Sequence, residues 1–263
     1  MIKKITLIGA GNVATHIGVA LMNAGKEILQ VYSRTSKSAS ELADKLKCPY
    51  TTDLENILPG SDLYIISVAD SAISKTVNEF PLDDVLVAHT SGSTDLDVLL
   101  KNNLRPAVFY PLQTFSKNVE VNFDQIPLFL ETFYEEDMKK LKAFAGEISS
   151  KVYSINSQQR LILHISAVFA CNFTNHMFYI AEDILNQHQL DFNILKPLIR
   201  ETVRKAELSG PYKAQTGPAV RNDKSTLKLH SEILSSFGDY QKFYNFISDS
   251  IISKHNQKHK YKK

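Results

Sequence analysis

The chain opens with KKITLIGAGNVATHIGVAL, and no other stretch narrows the choice of fold as much. An apolar run from Ile5 to Ile8 leads directly into Gly9-Ala10-Gly11-Asn12-Val13-Ala14, after which apolar residues recur at helical spacing. This is a G-x-G-x-x-[GA] pattern at a strand-to-helix junction. The first glycine allows the tight turn, the second lets backbone approach a diphosphate, and the small third residue lets helix pack on strand. The helix N-terminus then offers unpaired N–H groups to the anion. Alone the pattern is common. In this setting it predicts a nucleotide-binding βαβ unit in which Gly9, Gly11, Asn12, Val13 and Ala14 hold a pyrophosphate.

The next strand ends unusually. In ILQVYSRTSK (28 to 37), Ser33, Arg34 and Thr35 stand where a carboxylate would hold the adenine ribose of NAD. A carboxylate there repels a phosphate, whereas a guanidinium flanked by hydroxyls pairs with one. The adenosine 2′-phosphate of NADP is therefore the predicted ligand; a solvated Ser/Arg loop is the plain alternative. Ligands of doubly wound sheets sit outside the carboxyl ends of the strands. Two more strand ends, Val68-Ala69-Asp70 and His89-Thr90-Ser91-Gly92, are accordingly expected to face the same cofactor. Asp70 can instead serve as the N-cap of a following helix.

Over the first 155 residues, short β-branched runs alternate with helical patterns, as a parallel sheet covered by crossover helices requires. Strands are predicted at 4–9, 28–33, 62–68, 84–90 and 106–111, with 126–131 and 151–155 as later additions. Beyond about 156 the pattern turns wholly helical, apart from a Gly/Pro-punctuated loop from Gly210 to Thr226. The predicted class is α/β: an NADP-binding Rossmann domain with a doubly wound, mostly parallel sheet over 1–155, then an all-helical substrate and dimerisation domain over 156–263. The long helical segment after Ser157 is apolar on more than one side (Leu161, Ile165, Phe169 and Phe173 against Val168 and Phe178). That predicts burial by a second copy in a homodimer.

Composition excludes several classes. With 263 residues, 43% hydrophobic and 22% charged, the chain is ordinary globular material. A formal net charge of +2 gives no reason to expect nucleic acid or a membrane surface as partner. The Lys-rich end SKHNQKHKYKK is expected to fray into solvent. No leader pattern precedes the first strand, and the most apolar stretch (161 to 181) is interrupted by His164, Asn172, Asn175 and His176, which argues against a membrane span. Cys48 and Cys171 fit neither metal-ligand spacing nor a disulfide framework. No metal site is predicted, and cytoplasm is the expected compartment.

Four stretches, LIGAGNVATHI, VAHTSGS, FYPLQTFS and AQTGPAVRNDKSTLKLH, with HISAVFACN between the last two, span nearly the whole chain. Together they resemble a bacterial family of NADP oxidoreductases in which a Rossmann-like domain is joined to a helical domain of unknown function. Its broader kin are pyrroline-5-carboxylate reductases, β-hydroxyacid dehydrogenases and NADP-dependent deazaflavin oxidoreductases. The resemblance implies NADP binding, a two-domain subunit and dimerisation through the helices; it supplies no substrate. Two departures matter. The family's pattern has a His before the Pro-Leu of FYPLQTF, where Tyr110 stands here; a phenol can still donate a hydrogen bond, but with an ordinary pKa of about 10 it is no easy proton shuttle at neutrality. The dehydrogenase kin carry a catalytic Lys on the first long helix after the Rossmann domain, yet no Lys occurs from 152 to 195.

Hydride transfer with NADP needs a group that gives or takes one proton. His164 leads, on the long helix expected to abut a cleft between the domains, against the plain reading of a core His satisfied by a carbonyl. Asn172 follows two turns on, about 12 Å along an ideal α-helix axis and under a quarter-turn away, a spacing for the far end of a small substrate. Arg221 can clamp a substrate carboxylate or pair with Asp223. His89 can join the chemistry or shape the loop at Ser91-Gly92. The function expected is an NADP(H)-dependent oxidoreductase acting on a small C=O or C=N substrate. A non-catalytic NADP-binding regulatory or interaction protein is the alternative, and reduction of a deazaflavin a third.

Overall fold

The apolar runs pair into one eight-stranded sheet, β1 (Lys4–Ile8), β2 (Glu27–Tyr32), β3 (Tyr50–Thr51), β4 (Leu63–Ile66), β5 (Leu86–His89), β6 (Arg105–Pro111), β7 (Leu128–Thr132) and β8 (Val152–Ser154). The strand order is β3-β2-β1-β4-β5-β6-β7-β8. Every neighbouring pair is parallel except β6 and β7, which are antiparallel. The first six positions follow the order of doubly wound dinucleotide-binding sheets. All seven strands read from the sequence are present, and the two-residue edge strand β3 is additional. This computed structural model describes residues 1–100 and 103–260.

β4 and β5 are buried along their whole length, because crossover helices cover both faces of a parallel sheet. On one face, α1 (Asn12–Asn23), α2 (Ser36–Leu46) and α4 (Glu135–Ala145) close a core that includes Ile5, Leu7, Ile17, Leu42, Phe109 and Phe144. On the other, α3 (Asp70–Asn78) and a 3₁₀ turn at Leu96–Leu99 cover Ile8, Tyr64, Ile66, Val87 and Val108. The strand β8 leads into α5 (Ser157–Ala167), whose start is fixed by a reciprocal cap: Asn156 accepts from the Gln159 amide at 2.8 Å and Gln159 accepts from the Asn156 amide at 3.1 Å.

The chain divides into two compact units, Met1–Cys171 and Asn172–Lys263. The sheet unit thus keeps α5, some sixteen residues beyond the boundary drawn from strand patterns near 155. The second unit holds α6 (Thr174–Gln187), α7 (Lys196–Ser209), α8 (Pro211–Ala214), α9 (Pro218–Arg221), α10 (Lys224–Leu234) and α11 (Tyr240–Lys260). The one-turn helices α8 and α9 form within the segment expected to be loop, each with proline in its first turn, where a missing N–H costs nothing. The expected fraying near 253 is not found, since α11 continues to Lys260; residues 261–263 lie outside the described residues. Inside the second unit, Tyr240 donates to Asp183 at 2.9 Å, His230 meets Tyr244 at 2.8 Å and His176 packs on Phe243. Among its described residues only Ala219 and Ser248 are buried.

Candidate functional site

The turn between β1 and α1 is built for close approach. Gly9 has φ 121°, and a Cβ there would lie 2.2 Å from the Ser67 carbonyl oxygen at the end of β4, so only glycine fits. The Gly9 amide donates to the Tyr32 carbonyl at 2.8 Å, drawing the ends of β1 and β2 together. Gly11 caps α1 through backbone alone, with no side-chain cap and no acidic residue in the first turn. The first-turn N–H groups are thus left for an anion. Ala14 is enclosed and Val13 packs into the core, so both offer only backbone and space to a ligand. Asn12 points elsewhere: its Nδ2 donates to the Phe115 carbonyl at 2.9 Å.

A cavity of about 660 Å³ opens on this turn. Gly9, Ala10 and Gly11 line it together with Ser33, Arg34, Thr35, Val68 and Ala69. Arg34 is exposed and makes no ion pair among the described residues, and α2 beside it also begins without a side-chain cap. A free guanidinium, two hydroxyls and an open helix terminus fit a phosphate monoester. The acid that lines the cavity, Glu79, lies at the end of α3 and pairs with Lys75 at 3.8 Å, while Asp53 accepts from the Glu55 amide and from the Asn56 side chain. Tyr32, Thr52 and Leu54 complete one wall, and the α3 stripe Ala72, Lys75, Thr76 and Glu79 the other. That stripe follows helical i, i+3, i+4, i+7 spacing from the Val68-Ala69 strand end and was not singled out from the sequence.

Three of the predicted cofactor residues take different places. Asp70 does not cap α3; Ala69 holds the N-cap position and Asp70 is the first helical residue, its carboxylate accepting from the Ser93 hydroxyl at 2.6 Å. His89 is fully enclosed, and burial, reinforced by the Arg160 guanidinium, pushes its imidazole down to about 4. Its Nδ1 accepts from the Ser91 amide at 3.2 Å, so the ring shapes the strand-end loop. Ser91 is buried as well, its hydroxyl accepting from the Ser93 and Thr94 amides.

Immediately beyond that loop the chain assembles a pair that spacing alone did not connect. Tyr110, at the end of β6, lies 3.1 Å from Nδ1 of His164 on α5 through its hydroxyl. Burial pushes the Tyr110 hydroxyl up to about 12, so the phenol stays protonated near neutrality and donates to or accepts from the ring nitrogen according to the tautomer. Both rings rest on Gly92: a Cβ there would lie 2.6 Å from His164 Nδ1 and 2.9 Å from Tyr110 Cζ. His164 keeps part of its surface open, while Tyr110 is 8% exposed. One turn earlier, the buried Arg160 pairs with Glu131 on β7 and donates to the Thr94 carbonyl, which fixes α5 and hence the imidazole. The Thr90 hydroxyl donates to Ser67 at 3.2 Å and the Ser93 hydroxyl to Asp70, tying this loop to the strand end that lines the cavity.

The other two catalytic candidates lie in the second unit. Asn172 is exposed and sits in a π-helical stretch, Val168–Phe173. The α-helical spacing from His164 assumed above therefore does not hold, because i→i+5 turns rotate the following face. Arg221 ends α9, exposed. Asp223 is engaged otherwise: it caps α10 through the Thr226 amide at 3.1 Å and accepts from the hydroxyls of Ser225 and Thr226 at 2.8 Å. Those bonds, ahead of the Arg221 charge, hold its carboxyl below the usual range.

A glycine turn under an open helix terminus, a cation at the tip of β2 and a His–Tyr pair beyond the end of β6 fit the dinucleotide-dependent oxidoreductases of the doubly wound class. A family model described as "NADP oxidoreductase coenzyme F420-dependent" matches residues 4–91, and one described as "Domain of unknown function (DUF2520)" matches residues 126–251. The "putative NADP oxidoreductase BF3122" from Bacteroides fragilis is 43% identical over 95% of this chain and 98% of its own, with a TM-score of 0.88. The chain belongs to this family of NADP oxidoreductases with a C-terminal DUF2520 domain. The fold alone is shared with an imine reductase from Myxococcus stipitatus in complex with NADP+ (13% identity, 98% and 95% of the two chains, TM-score 0.69). It is shared too with a 1-pyrroline-5-carboxylate reductase from Streptococcus pyogenes (14%, 97% and 98%, TM-score 0.61). Among curated proteins, none matches the sequence.

Proposed function

We propose that the protein transfers a hydride between NADP(H) and a small C=O or C=N substrate, with His164 and Tyr110 handling the accompanying proton. The observation that carries this reading is the 3.1 Å contact between Tyr110 Oη and His164 Nδ1, seated on Gly92 at the strand end next to the cavity. When bound, the nicotinamide supplies or accepts the hydride. In the direction of reduction, His164 as the imidazolium donates its Nδ1 proton's hydrogen bond to Tyr110 and gives its Nε2 proton to the substrate oxygen or nitrogen. It is left neutral, with Nδ1–H still held by Tyr110. Oxidation runs the same transfers backwards. The backbone from Gly9 to Ala14 is assigned to the pyrophosphate, Ser33, Arg34 and Thr35 to the 2′-phosphate, and Val68 and Ala69 to the cofactor's inner half. Asn172 and Arg221 are assigned to substrate orientation.

The same proposal includes a homodimer. The run Ser157–Gln187 is long and apolar enough to cross a bilayer by length and composition, with a mean hydropathy of 1.2. His164, Asn172, Asn175 and His176 interrupt it, and Leu198 and Leu208 on α7 and Phe246 on α11 are further exposed apolar side chains. A second copy of the chain matches such a surface better than lipid does.

The test follows NADPH absorbance with the purified protein across cyclic imines, keto acids and aldehydes. Turnover of at least one is expected, and His164→Gln should lower it by about 10²-fold or more while NADPH affinity is kept. Tyr110→Phe should cost less, since it removes only the group that orients the ring. NADPH binding without turnover of any substrate would replace this reading with that of a regulatory NADP-binding protein.

A further inference from the structure

The cofactor site includes a cation that neither the glycine turn nor the 2′-phosphate pocket accounts for. Lys117 lines the same cavity as Gly9 to Gly11, and also borders a second one of about 930 Å³ along the outer side of α1, with His16 and Lys45. It makes no ion pair among the described residues. Its segment, which follows β6, is strapped to α1 at two consecutive carbonyls. Asn12 Nδ2 donates to Phe115 O at 2.9 Å, and His16 Nε2 donates to Ser116 O at 3.0 Å. The His16 ring also stacks on Phe115, with centroids 4.9 Å apart. The residue after these anchors is Lys117, so its backbone is held beside the first turn of α1 while the side chain is free to reach.

We propose that Lys117 is a ligand of the dinucleotide's diphosphate, positioned by the strap that Asn12 and His16 hold against α1. The assignment rests on the NADP reading of the cavity. The open terminus of α1 supplies only fractional positive charge, and its first turn holds no cationic side chain, whereas a diphosphate brings two full negative charges. A lysine acts there as a mobile point charge. The 2′-phosphate pocket already has Arg34 at the tip of β2, and the strap is pinned at Asn12, next to Gly11, not at β2.

Titration calorimetry of the full chain with NADPH and with NADH tests this. Lys117→Met should weaken both by about tenfold, leaving their ratio unchanged, and Lys117→Arg should restore most of the loss. His16→Leu, with the lysine intact, should weaken both by a smaller factor, and the melting temperature of unliganded Lys117→Met should equal that of the parent. Unchanged affinity in Lys117→Met overturns the proposal, as does a loss confined to NADPH, which would make Lys117 a 2′-phosphate ligand. Arg34→Ala, run in parallel, should lose NADPH only. If it does while Lys117→Met changes nothing, the lysine assignment fails alone; if the parent binds neither nucleotide, the NADP reading fails and carries the assignment with it.

Discussion

Gly92, Tyr110 and His164 come from three distant points in the chain, and their meeting explains why each residue type is found where it is. The missing side chain at 92 is the space the imidazole occupies. Gly92→Ala should therefore push the His164 ring aside by a fraction of an ångström to an ångström, and misplacement of that size lowers turnover by about 10²-fold. NADPH affinity should stay near that of the parent, because position 92 is outside the phosphate-binding turn. Stopped-flow turnover and calorimetry on the same preparation would show the split; equal loss of both would mean that Gly92 serves the cofactor. Of this trio, His164 was readable as a polar residue in an apolar stretch. Tyr110 read as a lost shuttle because the comparison took positions one at a time, and a contact across 54 residues of chain leaves no mark in local spacing.

Strands and helices were more readable than their junctions. The apolar runs and the glycine turn announced the sheet, since burial on both faces demands continuous β-branched sequence, and β3 was missed because two residues carry no period. The π stretch at Val168–Phe173 is equally silent, as apolar spacing does not distinguish it from α-helix. Asn156 and Gln159 form a capping box that fixes where α5 starts and that was not read from the sequence. At the end of β5, enclosure of His89 has a measurable consequence. Above about pH 6.5 the ring is neutral both folded and unfolded, so its burial is not opposed by protonation. As pH falls towards 4, the unfolded chain takes up a proton that the folded state refuses, and roughly 3 kcal/mol of stability is lost, the loss being complete below the folded value. Urea unfolding at pH 7 and pH 4.5 should show a smaller difference for His89→Asn than for the parent. Identical differences would show that the ring protonates without disturbing the fold.

At the scale of the whole molecule, burial is divided unevenly between the two units. The sheet unit closes two cores, whereas α6, α7 and α10 contain no buried residue within their own chain. Light scattering behind a sizing column should give twice the chain mass at micromolar concentration. A charge placed on the exposed surface, as in Leu208→Asp or Phe246→Asp, should shift the population to single chains; a parent that runs as a single chain would refute the homodimer. Helices that complete their burial only in a partner draw part of their folding energy from encounter, so protein concentration becomes a variable of stability. On dilution the helical unit should melt first, leaving a sheet that still takes up nucleotide.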